Sequence, residues 1–160
     1  MIVANSGPLI SFARAKRLDL LRQVIGTLVI PEAVYNEIVV KGEGKPGASE
    51  VRKSSWIEVR KIHDRRKLAS LSEKLGEGER EAMILVQEVE GVLLIDDPQA
   101  RTEAKGRGIR LTSSPDILQE AKDRNFIPNV RDALADLVRG GFRISERLRQ
   151  DILKRAEENV

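Results

Sequence analysis

Short apolar runs, each stopping at small or polar residues and each followed by a helix-length amphipathic stretch, recur along this chain. No other feature restricts the fold as much, because parallel strands can be joined only through long crossovers. The first run, 2–4, stops at Asn5-Ser6-Gly7, and Pro8 suits the first turn of a helix that carries Leu9, Ile10, Phe12 and Ala13. Leu18, Leu20, Leu21 and Val24 continue helical packing to Gly26, 27–30 reads as a second strand, and Pro31 opens the next helix. Strand, helix, strand in this order predicts a parallel βαβ unit.

From 41 to 55 the composition shifts to Gly, Lys, Pro and Ser, which predicts a loop with one short helix near Glu50. Residues 56–62 alternate as a strand, and 63–77 read as a charged surface connection with a helical piece over 68–75. An apolar helix over 79–90 ends at Gly91, and the continuous apolar run 92–95 has the character of a strand buried on both faces. Asp96 and Asp97 follow it directly. Pro98 starts a helix that Gly108 stops, and 109–112 reads as another strand, leading to Ser114 as N-cap with Pro115 in the first turn. Two helices close the sequence, 129–139 and from Ser145 to 158, separated by Gly140-Gly141-Phe142. The pattern predicts an α/β fold in one domain over 1–160, with a doubly wound parallel sheet.

Composition removes several function classes. With no cysteine, disulfides, zinc–thiolate centres and thiol nucleophiles are excluded, and an intracellular setting fits better than a secreted one. No apolar run approaches the roughly 20 residues of a membrane span, and the start of the chain lacks the pattern of a signal peptide. The expectation is a soluble cytoplasmic protein. Lys and Arg total 28 against 25 Asp and Glu, a net charge of +3 that does not by itself identify a nucleic-acid binder. Neither a Ser-His-Asp arrangement nor a Gly-rich phosphate loop is present.

Placement of the acidic residues says more. In open parallel sheets, ligands collect beyond the carboxyl ends of the strands. Asn5-Ser6 and Asp96-Asp97 both follow buried strands, and they share one crevice if those strands are neighbours where chain order reverses. Glu79 shares a helix face with Ala82, Met83 and Val86 and so points inward, although a first-turn carboxylate also has a purely structural reading in the helix dipole. Glu37 borders the apolar face of the helix opened by Pro31, while Glu77 and Glu81 read as first-turn or solvent-facing charges. One of the two aspartates is explained as N-cap for the helix at Pro98. Several carboxylates converging in one crevice repel one another unless a cation or proton neutralises them.

These residues resemble the PIN domains, particularly those encoded beside small antitoxins in archaea and bacteria. The matching pieces are Asn5-Ser6-Gly7-Pro8-Leu9-Ile10, 29–37, Leu75-Gly76-Glu77-Gly78-Glu79-Arg80-Glu81-Ala82, Leu94-Ile95-Asp96-Asp97 with Ala100-Arg101, and Gly141-Phe142-Arg143-Ile144-Ser145. The resemblance implies a three-layer α/β/α fold with about five parallel strands in the order 3-2-1-4-5. It implies a Mg²⁺ or Mn²⁺ site built from Glu37, Glu79 and Asp96 or Asp97 beside Asn5, hydrolysis of RNA, a small antitoxin partner and a homodimer. Asn5 stands where the family's pattern most often has Asp. An amide oxygen ligates a metal but brings no charge, so a weakened or inactive module that binds RNA or a partner is the competing reading. Ser6, and Arg101 and Lys105 on the helix after the aspartates, are the candidate substrate contacts; the basic run at His63, Arg65, Arg66 and Lys67 reads as a solvated connection. A receiver-type phosphoryl-transfer domain fits worse, since Asn5-Ser6-Gly7 lacks the acidic pair that such domains place after strand one.

Overall fold

In the computed structural model, which describes residues 1–160, five strands form one sheet in the order β3-β2-β1-β4-β5. They are β1 (Ile2–Ala4), β2 (Leu28–Pro31), β3 (Ile57–Arg60), β4 (Val92–Leu94) and β5 (Arg110–Thr112). Every neighbouring pair is parallel, so the fold class is the one the sequence pattern predicts and the strand order the one the resemblance implies. No helix is long and apolar enough to cross a membrane.

The period-two alternation of the strands sorts side chains onto two faces. Val3, Val29, Leu93 and Ile95 pack into one apolar cluster with α5 (Glu77–Glu88) and α6 (Pro98–Gly106). Ala4, Leu28, Ile30 and Leu94 point the other way, into a cluster with α1 (Ser6–Arg14), α2 (Leu18–Ile25), α7 (Ser114–Asp123), α8 (Val130–Arg139) and α9 (Glu146–Arg155). Each fully buried Leu or Ile contributes about 1.5–3 kcal/mol, which is how strands of three or four residues are held.

Three local features differ from the sequence reading. The helical piece expected over 68–75 is instead a 3₁₀ helix, Arg65–Ser70, with no buried residue to support a longer α-helix; Asp64 caps it by accepting the N–H of Arg66 at 3.1 Å. Ser113, and not Ser114, is the N-cap of α7, its Oγ accepting the Asp116 N–H at 3.2 Å. The last helix stops at Arg155 because the chain turns at Glu157, φ +60°, and brings Glu158 onto the N-terminus of α8. There its carboxylate accepts the N–H groups of Val130 and Arg131 at 2.7 and 2.8 Å, two of the donors that a helix start leaves without partners.

A fourth feature bears on function. The short helix α3 (Glu32–Tyr35) widens into a π turn over Asn36–Val40. Such turns carry an extra residue and re-aim the side chains on them. Glu37 lies in this turn.

Candidate active site

The strand order makes β1 and β4 neighbours, with Ala4 opposite Leu94 and the Asn5 N–H donating to the Leu94 carbonyl at 3.1 Å. On the other side of β1 lies β2, so chain order reverses here, the point in an open parallel sheet beyond whose strand ends ligands collect. Asn5 and Asp96 both emerge at this edge.

Glu37 enters the crevice from the π turn. Its Oε2 accepts the Ser6 hydroxyl at 2.7 Å and its Oε1 accepts the Gly78 N–H at 3.1 Å, at the N-terminus of α5 where the helix dipole favours an anion. A Cβ at Gly78 would meet the Glu37 carboxylate, so a larger residue there would push that carboxylate out of its present position. Ser6, a candidate substrate contact on sequence grounds, is therefore hydrogen-bonded to Glu37.

Glu79 sits one residue on and serves two ends. Its Oε1 accepts the Gly76 N–H at 3.0 Å, the reciprocal half of a capping box, so the structural reading of this carboxylate holds. Burial also pushes its pKa above the ordinary glutamate range; the Gly76 N–H opposes the shift, and the charges of Asp97 and Glu37 add to it. Asp97 and Glu37 are thus both near enough for their charges to oppose ionisation of Glu79.

The two aspartates divide. Asp97 caps α6, its Oδ2 accepting the Ala100 N–H at 2.9 Å, and faces Glu79. Asp96 turns to the start of α7, where Ser114 donates both its N–H, at 2.7 Å, and its hydroxyl. Burial raises the Asp96 pKa, against the hydrogen bonds from Ser114 and the charge of Arg101. The buried Ser114 is a residue the sequence reading took only as a helix cap; the Ser-Ser-Pro-Asp run after β5 was the available signal. Arg101 donates through Nη1 to the carbonyls of Ile95 and Thr112, at 2.7 and 3.0 Å, and so ties the ends of β4 and β5. Lys105, one turn further on α6, is exposed.

Glu81 corrects the sequence reading, which placed it toward solvent. It is buried, because α5 is enclosed on all sides from Glu81 to Val86. Its Oε1 accepts the Ala33 N–H at 3.2 Å and its Oε2 lies 3.5 Å from Arg65, so it ties the first turn of α3 to α5. Glu81→Ala leaves a buried N–H unmatched and is expected to destabilise the fold by about 1.5–3 kcal/mol in urea unfolding, whereas Glu81→Gln, which keeps an acceptor, recovers most of that loss. Equal loss in both variants would locate the stabilisation in the charge and not in the Ala33 bond.

The residues suit a hard divalent cation in kind. Asn5 occupies the N-cap position of α1 yet makes no capping bond; its Oδ1 is buried with no hydrogen-bond donor. Buried acceptors without partners are rare and call for a water or an ion. The oxygen-only donor set of Asn5, Glu37, Glu79 and Asp97 matches Mg²⁺ or Mn²⁺ chemistry. As the side chains stand, no three acidic or histidine side chains are grouped tightly enough to hold a metal ion, since Glu37, Glu79 and Asp97 are each drawn aside to Ser6, Gly78, Gly76 or Ala100.

Carboxylates brought from the N-termini of α5 and α6 and from a π turn make an acidic candidate site at the switch point of the sheet. Residues 1–158 match the family model DUF3368, described as a PIN domain, and the chain belongs to that family. PIN domains are generally nucleases that use divalent metals. Among solved structures, a PilT N-terminus domain protein, SSO1118, from the archaeon Sulfolobus solfataricus P2 is similar in fold. Its TM-score is 0.55 at 16% identity, over 73% of this chain and 90% of that one. No curated protein matches.

Proposed function

We propose that the chain is a metal-dependent endoribonuclease of the toxin type, hydrolysing RNA phosphodiesters in the crevice at the ends of β1 and β4. The observation that carries this reading is the buried, unpartnered Oδ1 of Asn5, next in the chain to Ser6, whose hydroxyl donates to Glu37. A Mg²⁺ or Mn²⁺ ion held by these residues would neutralise the carboxylates, allow an anionic diester to approach and supply Lewis-acid activation of water. Asn5, Glu79 and Asp97 supply the oxygens with the fewest competing bonds, Glu37 is oriented by Ser6 and Gly78, and Asp96 stands behind them, fixed by Ser114. A small antitoxin protein, a homodimer and the cytoplasm complete the reading.

Two observations favour a second reading, a weakened module that binds RNA or a partner without cutting. Asn5 lacks the charge of an aspartate, and the carboxylates stand apart. Incubating purified protein with single-stranded RNA, with Mg²⁺ or Mn²⁺ or with a chelator, separates the two. Cleavage that requires the cation is expected. A mobility shift without cleavage at any cation concentration supports the binding module instead.

A further inference from the structure

A cleft of about 640 Å³ lies between α6 on one side and the 142–145 segment with α9 on the other, with Asp96 and the start of α7 in its lining. Four basic side chains line it, Arg101, Lys105, Arg143 and Arg155, against two acidic ones, Asp96 and Asp116. Arg155 and Asp116 neutralise each other at 2.8 Å, and Arg101 is tied to backbone carbonyls. Lys105 and Arg143 remain. Both are exposed, and neither makes a side-chain hydrogen bond or an ion pair. Between them the wall is apolar: the Phe142 ring is half-buried, and Leu148 is 45% exposed.

We propose that this cleft holds a single strand of nucleic acid, with successive phosphates on Lys105 and Arg143 and a base against Phe142 and Leu148. Unpaired cations track a phosphodiester backbone, and an aromatic face beside them takes a base that is not stacked in a duplex. Asp96, which follows β4, lines the cleft, so a strand lying in it passes the edge of the sheet where the candidate site lies. The C-terminal segment 142–155 is then a substrate-holding element and not only a cover for the sheet. This inference rests on the nuclease reading for the strand's destination, and on the cleft alone for its binding.

Fluorescence anisotropy of a short labelled oligouridine, measured with chelator so that nothing is cut, tests it. Lys105→Ala and Arg143→Ala are each expected to weaken binding several-fold. The double variant is expected to flatten the slope of log affinity against log salt by about 1.4, some 0.7 per lost phosphate contact. Phe142→Ala weakens single-strand binding while leaving duplex binding as it was, and the matched DNA strand reports whether the sugar is read. Lys53→Ala, an exposed lysine on α4 (Ala48–Lys53), serves as control for simple loss of charge. Wild-type protein that does not bind the strand, or a Lys53→Ala effect as large as those in the cleft, overturns the proposal. Cation-dependent cleavage with binding unchanged in Lys105→Ala and Arg143→Ala overturns the cleft alone; cleft-dependent binding with no cleavage overturns the nuclease reading alone.

Discussion

Glu79→Gln is expected to lower cation-dependent RNA cleavage by about 10²- to 10³-fold, the scale of deleting one electrostatic contributor from a water-poor site. The substitution preserves shape, and the amide oxygen of Gln still accepts the Gly76 N–H, so the start of α5 is retained. What disappears is a charge that burial, Asp97 and Glu37 all make costly to hold. Because folding raises the pKa of this carboxyl, ionised Glu79 opposes stability as pH rises past its unfolded value toward its folded one. Without a cation, the variant should therefore melt at or above the wild-type temperature at neutral pH. With Mn²⁺ the order reverses, since the wild type gains more from the ion. Proton and cation compete for this carboxylate, so Mn²⁺ should stabilise the wild type more as pH rises past the elevated Glu79 pKa, a dependence the variant lacks. Thermal melts with and without Mn²⁺, alongside cleavage time courses, check all three. Activity that survives both a chelator and Glu79→Gln would belong to a contaminant or to another mechanism.

The framework was legible in the sequence because its signals are local. Apolar runs bounded by Asn5-Ser6-Gly7 and Asp96-Asp97 mark strands that have to be parallel, and Pro31 and Pro98 mark helix starts. The strand order and the grouping of Glu37 with Glu79 came from the resemblance; periodicity alone placed each on its own helix. What the sequence did not carry was non-local. Glu81 looked solvent-facing because its burial comes from α3 and Arg65, elements remote in sequence that lie across α5. Asp96 and Asp97 are adjacent in sequence, yet they serve opposite neighbours, and only the packing of α7 reveals that Ser114 claims Asp96. Arg101 has the spacing of a substrate contact but reaches two strand-end carbonyls. The π turn under Glu37 has no composition cue of its own.

Asn5→Asp should tighten Mn²⁺ binding by tenfold or more and raise cleavage at low cation concentration. At an effective dielectric near 20, a unit charge about 4 Å from a cation is worth about 4 kcal/mol per unit of cation charge before water and neighbouring carboxylates compensate, and each 1.4 kcal/mol is a factor of ten. The change is electrostatic and not steric: Asn and Asp are equally good N-caps, and Asn5 makes no capping bond that could be lost. A new carboxylate beside Glu37, Glu79 and Asp97 adds repulsion that nothing relieves in the absence of a cation. The variant should accordingly melt lower than the wild type in chelator and gain more from Mn²⁺, a crossing that a merely structural role for Asn5 does not produce. Calorimetric titration of Mn²⁺ into both proteins, with cleavage assays in parallel, reads the outcome. Tighter binding with no gain in cleavage would favour the binding module over the nuclease. Unchanged Mn²⁺ affinity would show that the buried Asn5 oxygen does not face the ion, leaving Glu37, Glu79 and Asp97 to hold it alone.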